Sequence, residues 1–189
     1  MKKLIVLLGP TGVGKTALSI ELAQRYGCPI ISSDSRQIYK GIEIGTAAPT
    51  QEEQSLVKHY FVGIKELTED YSAGQYEIDA LNLINELFKT HDTLLLTGGS
   101  MMYIDAVCNG IDDIPTVSAE ARAEAQKIYN EEGLDGLTAK LKELDPVWHE
   151  KVDLKNYRRV MHAVEVCIFT GKPYSTFLSG EKKKRDFEI

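Results

Sequence analysis

An α/β fold, a parallel sheet flanked by helices, is predicted by three observations. Short continuous apolar runs at Lys2 to Leu8, Pro29 to Ser32 and Thr93 to Thr97 have the length of strands covered on both faces. Segments with apolar residues at helical spacing, 15–26 and 72–88, separate these runs. The first and third runs end in glycine-rich turns, at Gly9 to Gly14 and at Gly98-Gly99, each opening a further helical segment. A strand–helix–strand order of this kind implies right-handed crossovers within one parallel sheet. At 189 residues the chain can build one such domain with a small appendage.

The elements follow in order. Lys2 to Leu8 predicts the first strand, and Lys15 to Tyr26 the first helix, with Ala17, Leu18, Leu22 and Ala23 on one face and Gly27 as its stop. Pro29 to Ser32 is the second strand. The segment 33–49 is irregular and polar, and His59 to Ile64 predicts another strand. Ser72 caps a helix whose Ile78, Leu81, Ile84, Leu87 and Phe88 share a face. Thr93 to Thr97 is followed by a helix from about Ser100 to Cys108. From Pro115 the texture changes to Ala-, Glu- and Lys-rich helices, Glu120 to Glu132 and Leu134 to Leu144, broken at Gly133. Asn156 to Thr170 is a last helix, stopped by Gly171, and Asp186 to Ile189 opens a strand. The predicted organisation is a core over 1–114, a helical insertion over 115–150, and a return helix with the start of a further core strand over 151–189.

Composition excludes several classes. No apolar run reaches the roughly 20 residues that a membrane helix needs. Cys28, Cys108 and Cys167 are widely spaced with no CxxC, which argues against a disulfide framework or zinc site and for the reducing cytoplasm. Net charge is −6, unevenly spread: residues 1–149 carry −9 and residues 150–189 carry +3. An acidic body with a basic end can seat a polyanion locally although the global field opposes it. A monomer is expected.

Gly9-Pro10-Thr11-Gly12-Val13-Gly14-Lys15-Thr16 matches G-x-x-x-x-G-K-[ST] between a buried strand and an amphipathic helix. Such a P-loop turns its backbone N–H groups inward as an anion nest, reinforced by the positive end of the helix. Lys15 adds a point charge on the terminal phosphates, and the Thr16 hydroxyl can coordinate Mg²⁺. The fold class narrows to a P-loop NTPase-like parallel sheet with a small helical insertion. The ligand is a nucleotide or another polyphosphate. The strand Thr93 to Leu96 ends in Thr97-Gly98-Gly99 with no acid, which weakens an ATP-hydrolysing motor. A small-molecule kinase and a transferase using a non-nucleotide diphosphate both stay open. Asp34, at the carboxyl end of the second strand, faces the crevice beside the P-loop, or else caps its own loop.

The segment Asp34 to Pro49 resembles the D-S-x-x-x-Y-x-G-x-x-I-G-T-A-x-P segment of the tRNA dimethylallyltransferases, also called tRNA isopentenyltransferases. Three further matches keep order: Tyr71-Ser72-Ala73, Gly98-Gly99-Ser100-Met101-Met102-Tyr103, and Asp145-Pro146 followed by Arg159, Ala163 to Val166 and Thr170-Gly171-Lys172. The resemblance spans essentially the whole chain. It implies transfer of a dimethylallyl group from dimethylallyl diphosphate to N6 of the adenosine beside the tRNA anticodon, position 37, with release of diphosphate. It implies that Gly9 to Thr16 hold the diphosphate with Mg²⁺ on Thr16, that Asp34 accepts the amine proton, and that Ser100 contacts the reacting nucleotide or the diphosphate. Ser35, Arg36 and Gln37 would hold the flipped-out base. Arg122 in the insertion, and Arg158, Arg159, Val160, Met161 and His162 on the following helix, would meet the anticodon stem-loop.

The chain departs from the family pattern at three points. Ser100 replaces the usual Thr and keeps the hydroxyl. His162 stands where many relatives have a second Arg, which makes that contact pH-sensitive. The chain stops well short of a typical relative, so a truncated form is expected, lacking the rest of the sheet, further diphosphate-binding Arg residues and much of the tRNA surface. The 189 residues alone are expected to lack part of the machinery. Lys182 to Arg185 is expected to be a solvated turn, and Trp148 and His149 packing residues. Two readings besides the kinase remain: a relative that prenylates free adenine nucleotides, which would not need the insertion, and a non-catalytic nucleotide-binding module.

Overall fold

The structure, a computed structural model, describes residues 1–9 and 12–189. Its elements in order are β1 (Lys3–Leu7), α1 (Lys15–Tyr26), β2 (Ile30–Ser32), α2 (Glu43–Thr46), α3 (Gln51–Leu56), β3 (His59–Tyr60), α4 (Ala73–Leu87), β4 (Thr93–Thr97), α5 (Met101–Asn109), α6 (Ala119–Leu144), α7 (Pro146–His149), α8 (Tyr157–Thr170) and a 3-10 turn, Tyr174–Phe177. They fall into two units, an α/β unit of Met1–Ile111 with Lys182–Ile189, and a helical unit of Asp112–Glu181.

The α/β unit is built on a four-stranded sheet in the order β1-β4-β2-β3, every pair parallel. Leu94, Leu95 and Leu96 of the central β4 are all buried, as a strand covered on both faces requires. From α4, Tyr76, Ala80 and Ile84 reach the core at helical spacing, and the Ser72 side chain accepts the Gln75 N–H as expected of its cap. Where the sequence predicts the start of a strand over 186–189, the structure has a single isolated bridge, Glu188 pairing with Lys3 in parallel at the outer edge of β1. The third predicted strand is far shorter than the 59–64 that its composition suggests. Phe61 at φ 61° and Gly63 at φ 59° turn the chain out of extended geometry, and Ile64 N–H pairs with the Ile38 carbonyl instead.

The helical unit has its own core. In α6, Ala121, Ala125, Leu137 and Leu141 face inward, and Val160, Val164 and Cys167 of α8 share the same cluster. Gly133 interrupts α6 with φ 68° and ψ −158°, which is the break the sequence predicts. Asp145 is fully buried and holds the turns after α6: its carboxylate accepts from Trp148 N–H, Ser175 N–H and the Ser175 hydroxyl. Trp148 packs on Tyr174 with ring centroids 5.2 Å apart, the packing role expected of it. The structure divides the chain differently from the 115–150 insertion and 151–189 return read in the sequence. Helix α8 presents an apolar face to α6, so it is part of the helical unit, and only 182–189 rejoins the sheet.

Candidate active site

The parallel sheet places three loops at one edge, because β1, β2 and β4 all end there. The loop after β1 leads into α1 through Gly12 at φ 83° and Gly14 at φ 90°, left-handed values that suit glycine. Lys15 donates to the Gly9 carbonyl at 2.7 Å, so its ammonium is folded back over the loop. Pro10 and Thr11, expected in the phosphate grip, lie outside the described residues.

The loop after β2 is organised by its own side chains. Asp34 Oδ1 accepts the N–H groups of Arg36 at 2.9 Å and Gln37 at 3.2 Å, which closes an Asx turn. Its second oxygen lies toward the loop after β4, where a Cβ on Gly99 would sit 3.5 Å from Oδ2. One oxygen thus caps the turn, and the Asp34 side chain also lines the cavity described below. Gln37 is spent within the loop: its Nε2 donates to the carbonyls of Thr46 and Ala47, and its Oε1 accepts from Ser32. Gln37 thus ties 32–37 to 46–47, with its amide engaged by protein rather than open to a base. The loop after β4 is fixed by contact. Ser33 N–H donates to the Thr97 carbonyl, Ser100 N–H donates to the Ser33 carbonyl, and a Cβ on Gly98 would collide with the Ser33 backbone.

One cavity of about 300 Å³ joins these loops, lined by Gly12, Gly14, Lys15, Thr16, Ser19, Ile30, Ser32, Asp34, Gln37, Thr46, Ala47, Pro49, His59, Thr97, Gly98 and Gly99. Of the predicted residues it brings together Gly12, Gly14, Lys15, Thr16, Asp34 and Gln37. Gly9, Val13, Ser35, Arg36 and Ser100 do not line it; Ser35 and Arg36 are exposed, and half-buried Ser100 sits at the start of α5 next to Gly99. Lys15 and Asp34 are the formal charges on the described wall.

The structure adds residues that no sequence motif singles out. Ser19 lies one turn after Thr16 on α1, and Ile30, Ser32 and His59 form the floor. Strand alternation puts Ile30 and Ser32 on one face, and His59 is the register partner of Ile30. Only that pairing could have marked His59. Its Nδ1 lies 2.8 Å from the Val57 carbonyl, and a carbonyl only accepts, so Nδ1 carries the proton and Nε2 is an acceptor. Burial depresses the His59 pKa despite the Val57 contact, which keeps the ring neutral at neutral pH. Beyond the cavity, Tyr76 stacks on Tyr103 and donates its hydroxyl to the Ser32 carbonyl at 2.8 Å. Burial first, then Tyr39 and Asp34, push the Tyr103 phenol up to about 12.

In the helical unit, Arg122, Arg158, Arg159 and His162 are exposed. The Arg158 guanidinium lies over the Tyr157 ring, which stacks on Tyr129. His162 contacts Glu165 at 3.7 Å and meets Tyr174 edge-on. Val160 and Met161, expected to meet RNA, are instead buried in the core, because helical spacing turns 160, 161, 163 and 164 inward and leaves 158, 159 and 162 outside. In the basic stretch before the last bridge, Lys182, Lys183 and Lys184 are exposed as expected, but Arg185 is not part of a solvated turn: its side chain is only 10% exposed and paired with Glu77.

A family model described as IPP transferase matches residues 37–189. The chain is 59% identical over 189 residues to tRNA dimethylallyltransferase 2 of Parabacteroides distasonis, covering all of this chain and 63% of that relative. It is 54% identical to tRNA dimethylallyltransferase 1 of Bacteroides thetaiotaomicron, covering 61% of it. The chain thus spans under two-thirds of the length of these curated relatives. Among solved structures, it superposes on a eukaryotic dimethylallyltransferase acting on tRNA with a TM-score of 0.81 at 29% identity, over 100% of this chain and 47% of that one. On the full-length tRNA isopentenylpyrophosphate transferase of Bacillus halodurans it gives a TM-score of 0.57 at 37% identity, over 92% and 58%. No helix among the described residues is long and apolar enough to cross a membrane.

Proposed function

The chain belongs to the IPP transferase family, and from that premise we propose that its full-length protein prenylates tRNA. The reaction moves a dimethylallyl group from dimethylallyl diphosphate to N6 of the adenosine at position 37, beside the anticodon. The observation that carries this reading is the shared cavity. A phosphate-gripping helix start and a carboxylate oxygen left over from its turn line the same 300 Å³ space. The names of the relatives point to the same chemistry.

The residues divide the work between leaving group and nucleophile. N6 attacks C1 of the prenyl group, the C1–O bond breaks, and diphosphate departs with the bonding pair. The loop N–H groups, the positive end of α1 and Lys15 stabilise the charge that collects on the departing oxygens. Lys15 exchanges the Gly9 carbonyl for a phosphate oxygen when ligand arrives. An exocyclic adenine amine is a weak nucleophile and sheds a proton as it attacks. Asp34 Oδ2 takes that proton while Oδ1, held by two backbone N–H groups, keeps the carboxylate in place.

Thr16 offers a hard oxygen beside Lys15, and Asp34 is the one carboxylate among the described lining residues. Such a donor set suits a Mg²⁺ that arrives with a diphosphate rather than a cation caged by protein alone. Charge neutralisation on the diphosphate is the chemistry that Mg²⁺ would supply when bound. Arg122, Arg158 and Arg159 would meet the phosphates of the anticodon stem-loop.

Labelled dimethylallyl diphosphate, given to the full-length protein with tRNA or with free AMP, tests the reading. Label is expected in tRNA. Label in AMP and none in tRNA would overturn it, and passage of phosphate from ATP to a small acceptor would replace it with a kinase.

A further inference from the structure

The chain leaves the α/β unit after Ile111 and re-enters it at Lys182, and both crossings meet at Glu77 of α4. Glu77 is a carboxylate only 6% exposed. Its Oε2 accepts the backbone N–H of Ile111, on the outgoing segment, at 3.1 Å. Its Oε1 accepts from Arg185 at 2.9 Å and from Lys183 at 3.2 Å, both on the incoming segment. Arg185 continues to the carbonyls of Ala106 and Val107 in the last turns of α5. Lys183 N–H donates to the Asn109 carbonyl at 2.7 Å, which ties the two segments directly to each other. Gly110 sits at φ 76°, where a side chain is strained, and a Cβ there would lie 2.8 Å from Lys183 Cβ.

A buried carboxylate is a costly way to hold a helix in place, and an apolar side chain would pack α4 as well. What the carboxylate adds is simultaneous acceptance from two segments that lie 34 and 108 residues away in sequence. We propose that Glu77 is a positioning residue that clamps both tethers of the helical unit, and thereby governs how the RNA acceptor is presented to the diphosphate site. The tRNA arm of this inference rests on the proposed function; the clamp itself does not. Burial raises the Glu77 pKa while Arg185, the Ile111 N–H and Lys183 lower it, and the balance is downward, so the clamp is charged at neutral pH.

The test uses Glu77→Gln in the full-length protein, which keeps the side-chain size and removes the charge. Backbone hydrogen exchange over 109–111 and 182–185 is expected to rise about tenfold or more, with exchange in α1 unchanged. KM for tRNA is expected to rise about 3- to 30-fold while the dissociation constant for dimethylallyl diphosphate stays put. A folded variant with unchanged exchange at both tethers overturns the proposal. So does one whose two substrates weaken together, the signature of general loosening. Should the variant fail to fold, Lys183→Met leaves Arg185 in place and gives a smaller rise at the same tethers, and no rise there overturns the proposal. Wild-type protein that protects its tethers but does not prenylate tRNA would sink the function reading alone.

Discussion

In the α/β unit the groups that face the cavity are held by main chain, whereas in the helical unit the basic groups stand on exposed side chains above an apolar core. Asp34 is fixed by two N–H groups, and Gly98 is pressed against the Ser33 backbone. Arg158, Arg159 and His162 project from a helix whose other face is fully engaged with α6. The difference teaches what each region can tolerate. A site built from backbone fails abruptly on one wrong atom, while a charged surface loses its hold by increments.

Asp34→Asn tests the abrupt side most severely. Turnover of the full-length protein should fall about 10²-fold or more, the scale of a lost general base, with dimethylallyl diphosphate still bound. Unchanged turnover in a rapid-quench assay would remove Asp34 from the chemistry. Gly98→Ala comes next: its methyl meets the Ser33 backbone, which has no rotamer to escape through. A loss of about 1–3 kcal/mol is expected in urea unfolding, the usual range for overpacking. An unperturbed midpoint would show that the two loops can separate without penalty. The mildest change is Arg158→Ala with Arg159→Ala. Stability and diphosphate affinity should hold, while the slope of log K for tRNA against log salt drops by about 1 for each phosphate that is no longer neutralised. If that pair also weakens diphosphate binding, the division between the regions is wrong.

The sequence carried the elements whose signals are local. Helix α1 begins and ends where Lys15 and Gly27 predict, α4 is capped by Ser72, and α6 breaks at Gly133, because caps and periodicity act within a few residues. Helices α2, α3 and α7 are too short to show a full hydrophobic period, so the sequence does not announce them. Within the candidate site, the G-x-x-x-x-G-K-[ST] motif and Asp34 stand out in the sequence by fixed spacing and by position at a strand end, and Gly12, Gly14, Lys15, Thr16 and Asp34 line one cavity. His59 was not, since it reaches the cavity through its register with Ile30 on another strand. Arg185 read as one more surface cation in a basic run, because nothing near position 185 announces a carboxylate 108 residues earlier.

The clamp at Glu77 also has a history within each molecule's synthesis. Glu77 is translated 108 residues before Arg185. At about 5–20 residues per second that interval lasts on the order of 5–20 s. Every residue of the helical unit, 112–181, emerges inside the gap. The helical unit can therefore finish its own core while the α/β unit still waits with an uncompensated carboxylate on α4. Closure of the first unit to begin then waits on a few residues that follow the whole of the second.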